Sequence, residues 1–79
     1  MRIDKYLKVS RLIKRRTVAQ EACDGGRVTV NGRVAKPSSE VKVGDTIEVR
    51  FGAKYLRVTV TSVDEKTRPD AAAAMYEEN

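Results

Sequence analysis

The chain has 79 residues, enough for one small domain, with 16 basic and 11 acidic residues and a net charge of +5. It has no histidine and one cysteine, which excludes a disulfide framework, a Cys/His zinc site and catalysis by histidine. No run of about 18 apolar residues is present, and the first residues lack the apolar stretch of a signal peptide. We therefore expect a cytoplasmic protein with no catalytic residues, metal, cofactor, small-molecule substrate or membrane contact.

The positive charge is concentrated in the first half of the chain. Residues 1–36 carry ten basic and three acidic residues, a net +7, whereas residues 37–79 carry six basic and eight acidic residues, a net −2. This asymmetry is typical of proteins that bind nucleic acid or an anionic membrane. The alternative is a helix face that is only solvated.

The spacing of apolar residues predicts a first helix over residues 4–10. Asp4 suits the helix start, where a carboxylate meets unpaired backbone amides, and Ile3 and Leu7 form a short apolar stripe. On the other side, a spacing of three predicts that Lys5, Lys8 and Arg11 share one helix face. Segment 11–16 is then a basic connection.

A second helix is predicted to begin at Thr17. Thr17 and Gln20 fit a capping box, and Gly25-Gly26 ends the helix because a left-handed C-cap costs glycine little. The side chains predicted to face inward are Val18, Ala19, Ala22 and Cys23. Core packing is the expected role of Cys23, since no base or metal that would activate a thiol is visible.

Short strands follow the helices. Val28 and Val30 alternate with polar residues, and Asn31-Gly32 is the signature of a type I′ hairpin turn. Two further alternating runs predict an antiparallel pair with one buried face; they comprise Ile47, Val49 and Phe51, then Leu56, Val58 and Val60.

The apolar pattern stops near residue 64. Pro69 and the run Ala71–Ala74 favour a short helix that is too short to be stable alone, so this segment either docks on the domain or becomes ordered on a partner. We thus expect a domain over residues 1–63 and a tail over residues 64–79. The fold class is α+β, with two short N-terminal helices packed on a small, mainly antiparallel sheet of four to five strands.

Three pieces of the sequence resemble the S4 domain, a small RNA-binding domain named after a small-subunit ribosomal protein. They are Arg2-Ile3-Asp4-Lys5-Tyr6-Leu7 with the basic run after it, Gly26-Arg27-Val28-Thr29-Val30-Asn31-Gly32, and Lys36-Pro37 with Val43-Gly44-Asp45. The resemblance covers residues 1–51. The stretch from Lys8 to Thr17 and the Ala-Ala-Met-Tyr at 73–76 are most similar to the stand-alone bacterial RqcP family of ribosome quality control, which is related to the heat shock protein 15 family.

The resemblance implies a non-enzymatic factor that binds the large ribosomal subunit after a stalled ribosome has split. It implies contacts with ribosomal RNA and peptidyl-tRNA, and support for a partner factor that adds alanine residues to the nascent chain without messenger RNA. The heat shock protein 15 branch remains an alternative. Its members usually carry a longer basic C-terminal extension, which we do not expect here because the last residues are Glu77-Glu78-Asn79.

The resemblance also places RNA-binding residues along the basic segment. Folded RNA presents closely spaced phosphates, so a rigid basic face suits it better than base-reading pockets, and the amides near Thr17 would add an anion site. The residues expected to bind RNA are Arg2, Lys5, Lys8, Arg11, Lys14, Arg15, Arg16 and Lys36. Arg27 and Arg33 are weaker candidates.

Two residues of this segment have alternative roles. Asp4 either caps a helix or orients an arginine, or it contacts a protein partner. Tyr6 either packs under the first helix or stacks on RNA, and base stacking is expected to be minor because Phe51 falls in a buried pattern.

Three other functions compete with this interpretation. A structural ribosomal protein would be present in every ribosome, and a pseudouridine synthase would need a catalytic domain for which 79 residues leave no room. A DNA-binding helix-turn-helix would need a recognition helix with base-reading side chains, and none follows the basic run.

Overall fold

The computed structural model describes all 79 residues and has an α+β architecture, as predicted. Two helices come first, followed by a five-stranded sheet in which every pair is antiparallel, with strand order β2-β1-β3-β4-β5. The elements are α1 (Ile3–Val9), α2 (Arg16–Asp24), β1 (Val28–Val30), β2 (Arg33–Val34), β3 (Thr46–Phe51), β4 (Lys54–Val60), a 3-10 helix (Pro69–Met75) and β5 (Tyr76–Glu78). None of the helices is both long and apolar enough to span a membrane.

The core lies between the helices and one face of the sheet. Side chains alternate along β3 and β4, so that Ile47, Val49, Val58 and Val60 are buried whereas their polar neighbours face outward. The helices contribute apolar side chains at helical spacing to the same core; these are Ile3, Tyr6, Leu7, Ala19, Ala22 and Cys23. The other face of the sheet has no covering element, and Val34 on it is exposed.

The structure contains the hairpin turn predicted at Asn31-Gly32 and the helix end predicted at Gly25-Gly26. Asn31 and Gly32 have φ values of 53° and 82°, the two positive values of a type I′ turn. After α2, Gly26 takes φ 73°, and the Arg27 N–H donates to the Ala22 carbonyl at 2.9 Å. This is a Schellman C-cap, which places β1 directly after the helix.

The predicted ends of the helices are partly wrong. α1 ends at Val9, and Arg11 lies in the following turn with φ 66°, so Arg11 is not on the helix with Lys5 and Lys8. α2 begins at Arg16 with Arg15 as an extended N-cap and no side-chain cap. Thr17 is therefore inside the helix and not its cap.

Two predictions of burial are also wrong. Val18 is 44% exposed because the buried stripe of α2 runs through Ala19, Ala22 and Cys23, and Val18 lies off that stripe. Phe51 is 48% exposed even though it continues the alternation of Ile47 and Val49. Its strand extends past the region that the helices cover, so alternation alone does not bury it.

The segment after residue 63 packs onto the domain. Ala72 and Met75 of the 3-10 helix are buried, and β5 pairs with β4 through Val60 and Tyr76. The Tyr6 hydroxyl donates to the Met75 carbonyl at 2.7 Å, which joins α1 to this segment. Tyr6 is completely buried, so of its two expected roles the structure shows core packing.

Candidate RNA-binding surface

The two helices and the loop after β2 meet around the start of α1. The Ile3 N–H donates to the Ser39 carbonyl at 2.7 Å, and the Asp4 N–H donates to the Pro37 carbonyl at 3.2 Å. The loop itself is held by the Ser39 hydroxyl, which accepts from the Lys36 N–H at 2.9 Å. These bonds bring the Lys36 loop beside Arg2, although the two residues are far apart in the chain.

Asp4 is at the centre of this region, with its side chain completely buried. Its carboxylate accepts hydrogen bonds from Gln20 at 3.0 Å, from Arg2 at 3.2 Å and from Arg16 at 3.3 Å. It also accepts the Lys5 N–H at 2.8 Å. One buried carboxylate therefore holds two arginines, one from the start of each helix.

The environment of Asp4 keeps its carboxylate ionised. Burial acts to raise the pKa, but the hydrogen bonds from Gln20, Arg16 and the Lys5 backbone, together with the charge of Arg16, lower the pKa of Asp4 below its ordinary value of 3.8. Asp4 thus orients arginines, one of the roles considered from the sequence. Because the carboxylate is inaccessible, a direct contact with a protein partner would require these groups to be displaced.

We call the eight residues expected to bind RNA the cationic surface; they are Arg2, Lys5, Lys8, Arg11, Lys14, Arg15, Arg16 and Lys36. All are exposed except Lys5, which is half-buried and forms an ion pair with Glu65 at 3.3 Å. Arg2 and Arg16 are paired with Asp4 but keep about half of their side-chain surface exposed. The other five form no ion pair.

The contacts bring Arg2 and Arg16 together on Asp4, with the Lys36 loop beside them, whereas Lys8 and Arg11 lie near Glu65. Arg2 lies before α1, Lys8 on its last turn, and Arg15 and Arg16 at the start of α2. Since no side chain caps α2, its first N–H groups remain available to an anion next to the Arg15 side chain. The arrangement presents hydrogen-bond donors and positive charge of the kind that bind phosphate.

Sequence reasoning missed two members of this region. Gln20 was assigned to a capping box but donates to Asp4, and Glu65 was assigned no role but pairs with Lys5. Gln20 and Asp4 are not three or four positions apart, and neither are Glu65 and Lys5, so helical spacing does not indicate either contact. The sequence contains one signal for the role of Asp4. This residue lies between Ile3 and Leu7, at the edge of the buried stripe of α1, where a carboxylate needs hydrogen-bond partners.

Cys23 takes no part in this surface. Burial, with the nearby charges of Asp4 and Asp24, raises the pKa of its thiol to about 11, so the thiol is protonated at neutral pH. This fits the core-packing role that the sequence predicted.

Comparison with known proteins agrees with the fold and shows the family. Residues 1–47 match the model of the S4 domain. The chain is 56% identical over 77 residues to the "RQC P-site tRNA stabilizing factor" of Halalkalibacterium halodurans, covering 98% of this chain and 88% of that protein. It is 39% identical to "Heat shock protein 15" of Escherichia coli, covering 99% of this chain and 59% of that protein.

A solved structure shows the same fold. Heat Shock Protein 15 of Vibrio cholerae, described as trimeric, superimposes with a TM-score of 0.91 at 32% sequence identity, covering 100% of this chain and 81% of that one. The resemblance inferred from Arg2–Leu7, the Gly26–Gly32 hairpin and the Lys36-Pro37 turn is confirmed. The chain belongs to the S4 domain family and, within it, to the family of RQC P-site tRNA stabilizing factors.

Proposed function

We propose that this protein binds ribosomal RNA and peptidyl-tRNA on large ribosomal subunits that remain after a stalled ribosome has split. By holding the tRNA in the P site, it would support a partner factor that extends the nascent chain with alanine. The observation that carries this proposal is the cationic surface around Asp4, in a chain 56% identical to a relative named for stabilising P-site tRNA.

The geometry supports a role in holding RNA. Arg2 and Arg16 are fixed on a buried carboxylate, so fewer side-chain rotamers have to be frozen when phosphates bind. Lys8, Arg11, Lys14, Arg15 and Lys36 have no competing ion pair. A surface of this kind binds by charge and shape, which suits a factor that bridges two folded RNAs.

Mutation of unpaired cations tests the proposal most directly. Arg16→Ala would weaken RNA binding but would also remove one of the two arginines that pair with Asp4, so Lys14→Ala with Arg15→Ala is the cleaner variant. We expect this double variant to bind large subunits more weakly at every salt concentration and to lower the salt slope by about two, roughly one for each lost phosphate contact. Co-sedimentation over a salt series measures both quantities.

Lys42→Ala is the matched control. The Lys42 side chain is exposed and forms no ion pair. Its backbone N–H donates to the Asp45 carboxylate, which also accepts from the Asn31 side-chain amide at 3.1 Å, so Lys42 lies beside the β1–β2 turn. We expect this variant to bind as the wild type does. Equal weakening by Lys42→Ala and by the double variant would refute the assigned surface.

The quality-control step needs a separate measurement. Pull-down of the tagged protein from cells with stalled ribosomes should recover large subunits, peptidyl-tRNA and nascent chains that end in alanine. Recovery of peptidyl-tRNA without alanine tails would contradict the tailing role. It would favour the alternative hypothesis, a factor of the heat shock protein 15 type that recycles large subunits.

A further inference from the structure

The tip of the β3–β4 hairpin, residues 50–55, projects beyond the rest of the sheet. On one side the last bond to a neighbour is the Arg50 N–H to the Arg27 carbonyl at 2.9 Å. On the other side it is the Asn79 N–H to the Arg57 carbonyl at 3.0 Å. Between Arg50 and Arg57 the two strands therefore pair only with each other.

Two aromatic side chains are exposed on this tip. Phe51 is 48% exposed and Tyr55 is 66% exposed. Tyr55 lies opposite Arg50 in the strand register, and Phe51 lies opposite Lys54. Each aromatic ring thus has a cation as its cross-strand neighbour. Because Arg50 and Phe51 are successive residues of β3, the Arg50–Tyr55 pair lies on one face of the hairpin and the Phe51–Lys54 pair on the other.

Tyr55 also forms the shared wall of two shallow clefts. One, of about 280 Å³, is lined by Arg50, Gly52, Ala53, Lys54 and Tyr55. The other, of about 240 Å³, includes Glu78, whose negative charge disfavours phosphate. The first cleft therefore combines an open aromatic face with two positive charges and no carboxylate.

We propose that the hairpin tip is a second RNA-binding surface, on which an unpaired base stacks against Tyr55 while Arg50, on the same face, binds the adjoining phosphate. Stacking platforms for single-stranded RNA consist of such aromatic side chains beside basic ones. A single exposed aromatic would be ordinary on a protein surface. Here Tyr55 has Arg50 opposite it on the same face, and the cleft that both line has no carboxylate, which favours a polyanion with flat bases over an apolar protein partner.

The tip is separate from the cationic surface. It lies next to Arg27, which directly follows the C-cap of α2, whereas Arg15 and Arg16 lie at the opposite end of that helix. The protein would thus contact RNA at two places, with folded RNA at the helices and an unpaired nucleotide at the hairpin. This inference does not depend on the quality-control role proposed above.

Binding of the full chain to two RNAs tests the inference. One RNA is a stem-loop with an unpaired loop, and the other is a duplex of the same stem without the loop. Tyr55→Ala should weaken binding to the stem-loop by roughly 5- to 100-fold, the range for loss of one stacked base, and should leave duplex binding unchanged. Tyr55→Phe should bind both RNAs as the wild type does, because the ring is retained.

Further variants separate this inference from the proposed function. Arg50→Ala should lower the salt slope for the stem-loop by about 0.7, the value for one phosphate of a single strand. The Lys14 and Arg15 double variant should weaken binding to both RNAs, and Val43→Ala, an exposed apolar change in another turn, should weaken neither. If the double variant binds normally while Tyr55→Ala loses the loop, the assigned helical surface is wrong and the hairpin surface stands.

Two results would overturn the inference. One is stem-loop binding by Tyr55→Ala equal to that of the wild type, with an unchanged unfolding midpoint. The other is equal loss in Tyr55→Ala and Tyr55→Phe, which would assign the contact to the hydroxyl group instead of the ring. If Tyr55→Ala binds both RNAs as the wild type does but no longer binds a protein ligand, the inference is wrong and the tip is a protein-binding surface.

Discussion

Asp4 links the stability of the protein to the shape of the cationic surface. Its buried carboxylate accepts hydrogen bonds from Arg2, Arg16 and Gln20, so the charge that fixes the arginines also joins α1 to α2. A carboxylate within a basic segment reduces the net positive charge. Here that reduction is accompanied by a defined orientation for two guanidinium groups.

Asp4→Asn should destabilise the protein by about 2 kcal/mol at pH 7. Hydrogen bonds to a charged group contribute about 1.5–3 kcal/mol, and the lower part of that range applies here because water can rehydrate Arg2 and Arg16 in the variant. Since folding lowers the pKa of Asp4, its contribution is complete well above pH 3.8 and disappears as the pH falls through the lower, folded value. The difference between wild type and variant should therefore narrow toward pH 3.

Urea unfolding at pH 7 and pH 3 measures this difference. Asp70→Asn is the control, because Asp70 is exposed and forms no ion pair. A gap that stays constant between the two pH values would show that Asp4 stabilises the fold by packing and not by its charge.

At the scale of single residues, the sequence predicts local features well and long-range partners poorly. The Asn31-Gly32 turn and the Gly25-Gly26 helix end are correct because they depend on neighbouring residues only. The role of Asp4 was left open because Arg16 and Gln20 reach it from another helix. Phe51 was placed in the core because alternation shows which face a residue lies on but not where that face stops being covered.

Among the secondary-structure elements, the C-terminal segment differs most from the sequence-based expectation. A short helix was expected after Pro69, and a 3-10 helix is present there. β5 was not expected, because Tyr76-Glu77-Glu78 has only one apolar residue and no alternation. Its strand conformation comes from pairing with β4, a tertiary effect that overrides local preference.

Met75 anchors this segment in the core. Its side chain is completely buried, and its carbonyl accepts from the Tyr6 hydroxyl and from the Thr61 N–H at 2.9 Å. Met75→Ala should destabilise the protein by about 2–4 kcal/mol through lost burial and the cavity left behind. For a domain of this size, that is a large part of the total stability.

Thermal or urea unfolding of Met75→Ala checks this value, with Val43→Ala as the control because Val43 is 61% exposed. Hydrogen exchange should also become faster in β5 and in Thr61, whose N–H bonds to Met75. An unchanged unfolding midpoint would mean that the 3-10 helix and β5 contribute little to the fold.

In the whole molecule, the net charge of +5 is a poor guide to RNA binding. The first 36 residues carry +7, and much of this charge lies around the two helices. The remainder carries −2 and supplies acidic partners such as Glu65 and Glu40, which pair with Lys5 and the N-terminal amine. The charge asymmetry along the sequence therefore places most of the free positive charge in the first 36 residues.

This polarity predicts a steep dependence of RNA binding on salt. About five phosphate contacts at the cationic surface give a slope of roughly −3.5 to −4.5 in log K against log salt, because each contact releases bound counterions. Titration of large ribosomal subunits between low and moderate salt measures the slope. A slope near zero would exclude a binding mode based on phosphate contacts.

The bond between Tyr6 and Met75 spans 69 positions of the chain, and this has a consequence for folding during synthesis. The arginines of α1 and α2 are translated first, but the Tyr6 hydroxyl gains its hydrogen-bond partner only when Met75 arrives. Contacts of such long range form late, because loop closure must precede them. We therefore expect the cationic surface of a newly made chain to reach its final shape only once residues 69–78 have joined the sheet.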